Sequence, residues 1–388
     1  MGTLSSSGLE RFAEVAAGHV GPDKVPGLVA LVSRGEQVHV EALGSLSLEG
    51  PPVRRDSLFR IASTTKPMTG AAVMALVDAG LVGLEDSVEK WLPELADRRV
   101  LRRIDGPLDE TVPAERAITV RDLLTFTFGF GMVVEMFMAP QPWPVVEAAN
   151  DLGLGTLGPP NPDEQPDPDT WISRLGSLPL MAQPGERWMY NTGALVLGVL
   201  AARAAGVPFA DVLRSRLFEP LGMRDTAFWA PDVSRLATAY ATGPDGLQVW
   251  DAPDGQWSHP PGFGDGGAGL VSTADDLLAF ARMFLAGGAR VLSEGSVSQM
   301  TRDQLTATQR PDATNAFLGG RSWSFAQSVI TEGPRAGAFG WDGGLGTSWL
   351  VDPGRDLVVI VLTQRLWDTS QPPAVHVDLQ DAAYAALA

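Results

Sequence analysis

Ser63 and Lys66 stand three residues apart in the stretch 59–66, FRIASTTK. On a helix, residues at i and i+3 share a face with Cβ atoms about 5–6 Å apart, so a lysine amine reaches a serine hydroxyl. In the first turn of an apolar helix, burial and the positive end of the helix dipole both disfavour the ammonium. A partly neutral amine takes the serine proton and creates a nucleophile. Unpaired N–H groups at the helix start then favour an oxyanion at Ser63. The same pattern also fits a serine helix cap followed by a solvated lysine. The run 68–77, rich in Ala, Met, Val and Leu, is a mostly buried helix with Pro67 in its first turn, and a solvated lysine is out of place there.

Other nucleophile systems drop out by residue type. There is no Cys, which removes thiolate nucleophiles, disulfides and Cys-based metal sites. His19, His39, His259 and His376 are the only imidazoles, and no two have the spacing of a metal pair such as H-E-x-x-H. No metal or cofactor is expected. G-x-S-x-G is absent, so the serine-elbow arrangement is absent with it. Lys66 is left as the base for Ser63.

That pair needs a second proton carrier and an oxyanion donor. Tyr190 lies in 184–193, PGERWMYNTG, where a turn runs into an apolar helix. A phenol facing two cationic groups ionises and shuttles protons; the alternative is a core tyrosine. Residues 340–346, GWDGGLG, precede a strand, and such glycines let backbone N–H groups approach a ligand. The alternative is a plain hairpin turn.

The elements that must position these residues are spread along 388 residues, a length of about two to three domain-sized units. With 45% apolar and 19% charged residues the chain is globular. The 29 basic and 46 acidic residues give a net charge of −17, which disfavours nucleic-acid and membrane-surface partners. The N-terminus lacks a basic and an apolar leader region, and no apolar run nears the ~18 residues that span a bilayer. A soluble, cytoplasmic protein is expected, with a leader removed earlier left open; the oligomeric state is left open too. Helical periodicity marks 7–20, 194–205, 209–217 and 273–286, and Thr119 reads as a helix cap. Strand patterns mark 28–32, 38–42, 322–330, 347–351 and 357–362, and a helix over 374–387 closes the chain. Strands at both ends with helices between predict one antiparallel sheet built from the two termini and a mostly helical insertion. The division expected is 1–80 plus 265–388 against 81–264, with a Pro-rich wall or lid at 139–170.

Taken together, these residues resemble the serine β-lactamase and penicillin-binding-protein superfamily, most closely the class C-like branch with the family VIII carboxylesterases. The resemblance rests on LFRIASTTKPM at 58–68, ITVRDLLTFT at 118–127, PGERWMYNTG at 184–193, LFEPLGMRDT at 217–226, GGAGLVSTADDL at 266–277 and GWDGGLGTSWLVDP at 340–353. It implies an α+β, β-lactamase/transpeptidase-like fold. It implies Ser63 as the acylated nucleophile, Lys66 as its base, Tyr190 as the second proton carrier, and the Ser63 and Gly344 N–H groups as the oxyanion hole. Trp341, Asp342 and Gly343 stand where β-lactamases carry K-T-G; Thr192 replaces an Asn, and Phe126 and Phe128 replace a His and a Ser. These departures predict an apolar pocket that takes short acyl or aryl esters, since shape then does the discriminating. The same chemistry also serves a β-lactamase, a D-amino-acid peptidase or amide hydrolase, an acyltransferase, or a sensor that acylates without turnover. Asp342 is expected to suit a substrate amine.

Overall fold

The computed structural model describes residues 2–310 and 317–388. Its centre is a seven-stranded sheet: β1 (Gly27–Arg34), β2 (Gln37–Gly44), β3 (Ser322–Trp323), β4 (Ser328–Val329), β5 (Phe339–Gly343), β6 (Thr347–Asp352) and β7 (Leu357–Thr363). The order is β2-β1-β7-β6-β5-β4-β3, and every pairing is antiparallel. The N- and C-terminal strands meet where Leu31 pairs with Ile360. The fold is α+β, and the sheet joins the two ends of the chain as their strand patterns require.

Alternation along β1 and β7 explains why helices cover both faces. Leu28, Ala30, Val32, Val359 and Val361 pack with Phe12 and Ala16 of α1 (Ser6–Gly18) and with Leu379 and Ala383 of the closing helix, Ala374–Ala385. Val29, Leu31, Val358, Ile360 and Leu362 face the opposite, larger core. Period-two side chains thus feed two cores from one strand. In the larger core Trp349 stacks on Phe280 at 5.1 Å between ring centroids, from the helix Ala274–Leu285.

The segment between the sheet halves is mainly helical. Thr119 caps Val120–Leu124 through a full capping box with Asp122, as its position predicts. The Pro-rich stretch 139–170 is more regular than its composition suggests: it holds the helix Pro144–Asp151, with the proline at the helix start where its missing N–H costs nothing. Trp171, at its far end, is buried and donates its indole N–H to the Leu154 carbonyl at 2.7 Å. The expected strand over 322–330 is two short strands, because Ala326 takes a left-handed φ of 59° between them. The glycine-rich segment 340–346, expected to precede a strand or to form a hairpin turn, is itself partly strand: β5 runs through 343, and the turn falls at 344–346. No single described helix is long and apolar enough to cross a membrane.

Candidate active site

Ser63 sits in a single 3₁₀ turn, Ala62–Thr64, between the two-residue strand Phe59–Arg60 and α2 (Thr65–Asp78). α2 is buried on all sides through its first three turns, the pattern of a core helix. Ala62 is forced to φ +44°, a strained value for a residue with a Cβ, so the turn is held by its surroundings. The holding contacts come from the hairpin β5–β6. Thr347 Oγ1 donates to the Ile61 carbonyl at 2.9 Å and lies 3.3 Å from Thr64 Oγ1. Gly343 permits this approach, since a Cβ there would run into the Ile61 carbonyl.

The Lys66 side chain is 0% exposed, and its Nζ lies 2.9 Å from Ser63 Oγ and 2.8 Å from the Gly267 carbonyl. Burial lowers the amine to about 7, with Asp265 pulling the other way. On its second side Ser63 Oγ accepts from the Tyr190 hydroxyl at 2.9 Å. The Tyr190 hydroxyl in turn accepts from the Trp341 indole N–H at 2.8 Å. The phenol differs from expectation: it faces one amine and one indole rather than two cations. Burial pushes it up to about 12, although the bonds to Ser63 and Trp341 pull it down. In the resting site Tyr190 is therefore a donor and not a phenolate. Asn191, just after it, takes φ +78° and donates to the Thr156 carbonyl at 2.9 Å, so strain flanks this residue as it does Ser63.

Ser63, Tyr190, Trp341, Asp342 and Gly344 line one cavity of about 400 Å³, together with Gly155, Gly158, Pro159 and Pro160 of the Pro-rich stretch. The Gly344 carbonyl accepts from Trp367 N–H at 3.0 Å, which fixes that peptide at the wall. Three expected pocket residues lie elsewhere. Thr192 is fully buried and bonded to Thr156 Oγ1 at 2.7 Å; its neighbour Asn191 lines the cavity instead. Phe126 is buried behind the catalytic tyrosine candidate, its ring 6.2 Å from Tyr190 and 4.9 Å from Trp323. Gly343 backs onto the Ser63 turn. Phe128 is buried in the large core. Asp342 lines the cavity, but its carboxylate already accepts from Ser348 at 2.7 Å and from Arg321 at 3.2 Å, so it is not a free anion for a substrate amine.

Two further cavity residues carry no mark in the sequence motifs. Asp265 is 4% exposed and accepts from the Gly267 and Ala268 N–H groups at 2.6 and 3.2 Å. Its signal was an acid inside the glycine-rich run 264–269. Arg321 lies over the Trp341 ring at 5.1 Å, and nothing in its local sequence singles it out. Among the described residues no cluster of His, Asp or Glu is placed to hold a metal ion.

A profile of the Beta-lactamase family matches residues 12–382. The chain belongs to the beta-lactamase family. It is 38% identical over 375 residues to Protein Rv1367c of Mycobacterium tuberculosis, covering 90% of this chain and 88% of that protein. It is 31% identical over 389 residues to Esterase EstB of Burkholderia gladioli, covering 93% and 91%. Among solved structures, EstCE1, described as a hydrolase with promiscuous acyltransferase activity, superposes with a TM-score of 0.81 at 24% identity over 97% of this chain and 99% of that one. The last likeness is one of fold. Its sequence relatives include proteins named as esterases and as penicillin-binding proteins.

Proposed function

We propose that this chain hydrolyses neutral carboxylic esters, with short acyl or aryl groups, through an acyl-enzyme on Ser63. One observation carries the reading: Ser63 Oγ is held at 2.9 Å by both Lys66 Nζ and the Tyr190 hydroxyl, and the Trp341 indole completes that array. An indole is neutral and largely apolar, its N–H is taken up by Tyr190, and the nearby Arg321 cation is paired with Asp342, so the wall beside Tyr190 offers a substrate shape rather than a free lysine charge.

In acylation the neutral Lys66 amine takes the Ser63 proton as Oγ attacks the ester carbon. The Ser63 and Gly344 N–H groups receive the charge that develops on the carbonyl oxygen. Tyr190 hands its proton to the leaving alkoxide and is reprotonated from the Lys66 ammonium, so the alcohol departs neutral and the acyl group stays on Ser63. Water then attacks the acyl-enzyme, Lys66 and Tyr190 move its proton to Ser63 Oγ, and the acid leaves. The similarity to Esterase EstB supports ester over β-lactam as the substrate.

Turnover of p-nitrophenyl acetate and butyrate by Ser63→Ala tests this. The variant is expected to fall by at least about 10³-fold, in line with loss of a covalent nucleophile. Turnover equal to the parent protein's rejects the assignment, and product that forms only with an added alcohol acceptor makes the protein an acyltransferase instead.

A further inference from the structure

The loop 265–268 does two things at once. The Asp265 carboxylate is clamped from within by the Gly267 and Ala268 N–H groups. The same Gly267 turns its carbonyl to Lys66 Nζ at 2.8 Å. Acid and amine are thus tied to one four-residue bend, both in the interior, with Asp265 at the cavity wall. From the Pro-rich stretch the buried Gln165 amide approaches the carboxylate without closing a hydrogen bond. A Cβ added at Gly155 would meet that amide at 3.4 Å.

We propose that Asp265 is a positioning residue that sets the pH at which Lys66 becomes a base, through its carboxylate and through the bend that holds the Lys66 amine. The proposal rests on the Ser63–Lys66 reading above. Among the described residues, the other groups facing Lys66 are neutral: Ser63 Oγ from its own turn, the Gly267 carbonyl from the loop, and the Tyr190 ring, whose centroid is 4.7 Å away. Arg321 and Asp342 stand behind Tyr190, where they pair with each other and act on the phenol. Burial raises the Asp265 carboxyl, while the Gly267 N–H, the Lys66 charge and the Ala268 N–H pull it back down; as a carboxylate it favours the Lys66 ammonium.

Burial alone drives a lysine far down, and an amine too weakly basic is a poor acceptor for a serine proton. A nearby carboxylate restores basicity while burial still keeps much of the amine neutral at ordinary pH. The two opposed effects leave Lys66 close to neutrality.

The test is the pH dependence of kcat/KM for p-nitrophenyl butyrate in Asp265→Asn, which keeps an oxygen for the Gly267 and Ala268 N–H groups but removes the charge. The acid limb is expected to move to lower pH by about one unit or more, the size of a single opposite-charge effect on a buried group. The plateau is expected to drop as well, because the base is weaker. Asp265→Ser, smaller and still an acceptor, makes the same prediction if the asparagine amide does not pack. A residue that merely braced the loop would lower the rate at every pH and leave the limb in place. An unmoved limb in a folded variant therefore overturns the role of Asp265. Failure of the Ser63 chemistry itself shows differently, as undiminished turnover by Ser63→Ala.

Discussion

The Trp341 indole N–H donates to the Tyr190 hydroxyl at 2.8 Å, and Tyr190 passes its own proton toward Ser63. Trp341 is thus more than an apolar replacement for a cation: it supplies the donor that eases charge on the phenol oxygen. Trp341→Phe keeps an aromatic wall and removes that donor. kcat/KM for p-nitrophenyl butyrate is expected to fall about tenfold, the worth of one hydrogen bond of roughly 1–1.5 kcal/mol. The acid limb should stay where it is, since the hydrogen bonds of Lys66 go to Ser63 and Gly267.

The rate of the parent protein should depend on pH through Lys66. Its amine is held at about 7 by burial, and the neutral form is the one that accepts a proton. Activity should therefore be near its plateau above that value and fall about tenfold per unit well below it. Tyr190, pushed up to about 12, stays protonated across the neutral range, so no alkaline loss is expected from it below pH ~11. A kcat/KM profile from about pH 5 to about pH 10 checks both limbs.

Gly343 and Gly344 are adjacent and should respond in opposite ways. At 343 a methyl group would collide with the Ile61 carbonyl and Thr347 Oγ1, which forces β5 away from the Ser63 turn. Gly343→Ala is expected to cost about 1–3 kcal/mol of stability and at least about tenfold in kcat/KM. At 344 a Cβ meets nothing within 4 Å, so Gly344→Ala should fold like the parent. Thermal melts of the two variants, read beside their activities, make the comparison.

The sheet and the site differ in how far the sequence exposed them. Strands β1, β2, β6 and β7 were legible because each carries a continuous apolar or alternating run that only a sheet accommodates. β5 was not, since Phe339–Gly343 is rich in glycine and its strand state is decided by pairing with β6. Ser63 and Lys66 could be picked out because a lysine at the start of an apolar helix must be buried, and the serine hydroxyl three residues earlier gives its amine a partner. Tyr190 stood out as one of 3 tyrosines, set just before another apolar helix. Thr192, Phe126 and Gly343 sit behind the cavity lining, because a position in a motif does not tell which side of a backbone faces a cavity. Asp265 and Arg321 come from distant segments, and only the folded chain brings them to Lys66 and Trp341.

Stability offers an independent check on the strand that carries the nucleophile turn. Arg60, three residues before Ser63, is buried against Asp251, with Nε 2.7 Å from the carboxylate. Burial lowers the guanidinium, while Asp251 pulls it back up. Arg60→Met leaves Asp251 buried without its cation and is expected to cost about 3–5 kcal/mol in urea unfolding. The double variant with Asp251→Asn should recover part of that loss, because no uncompensated charge is left inside.

An acyl-enzyme is a covalent bond to one oxygen, and it can be weighed. Rapid acid quench of the protein with p-nitrophenyl butyrate, followed by peptide mass spectrometry, should show the mass of one butyryl group on the peptide containing Ser63. The adduct should decay at the rate of turnover and be absent from Ser63→Ala. Acylation of a different residue, or turnover with no adduct on the Ser63 peptide at any quench time, contradicts the assignment of Ser63 as the nucleophile.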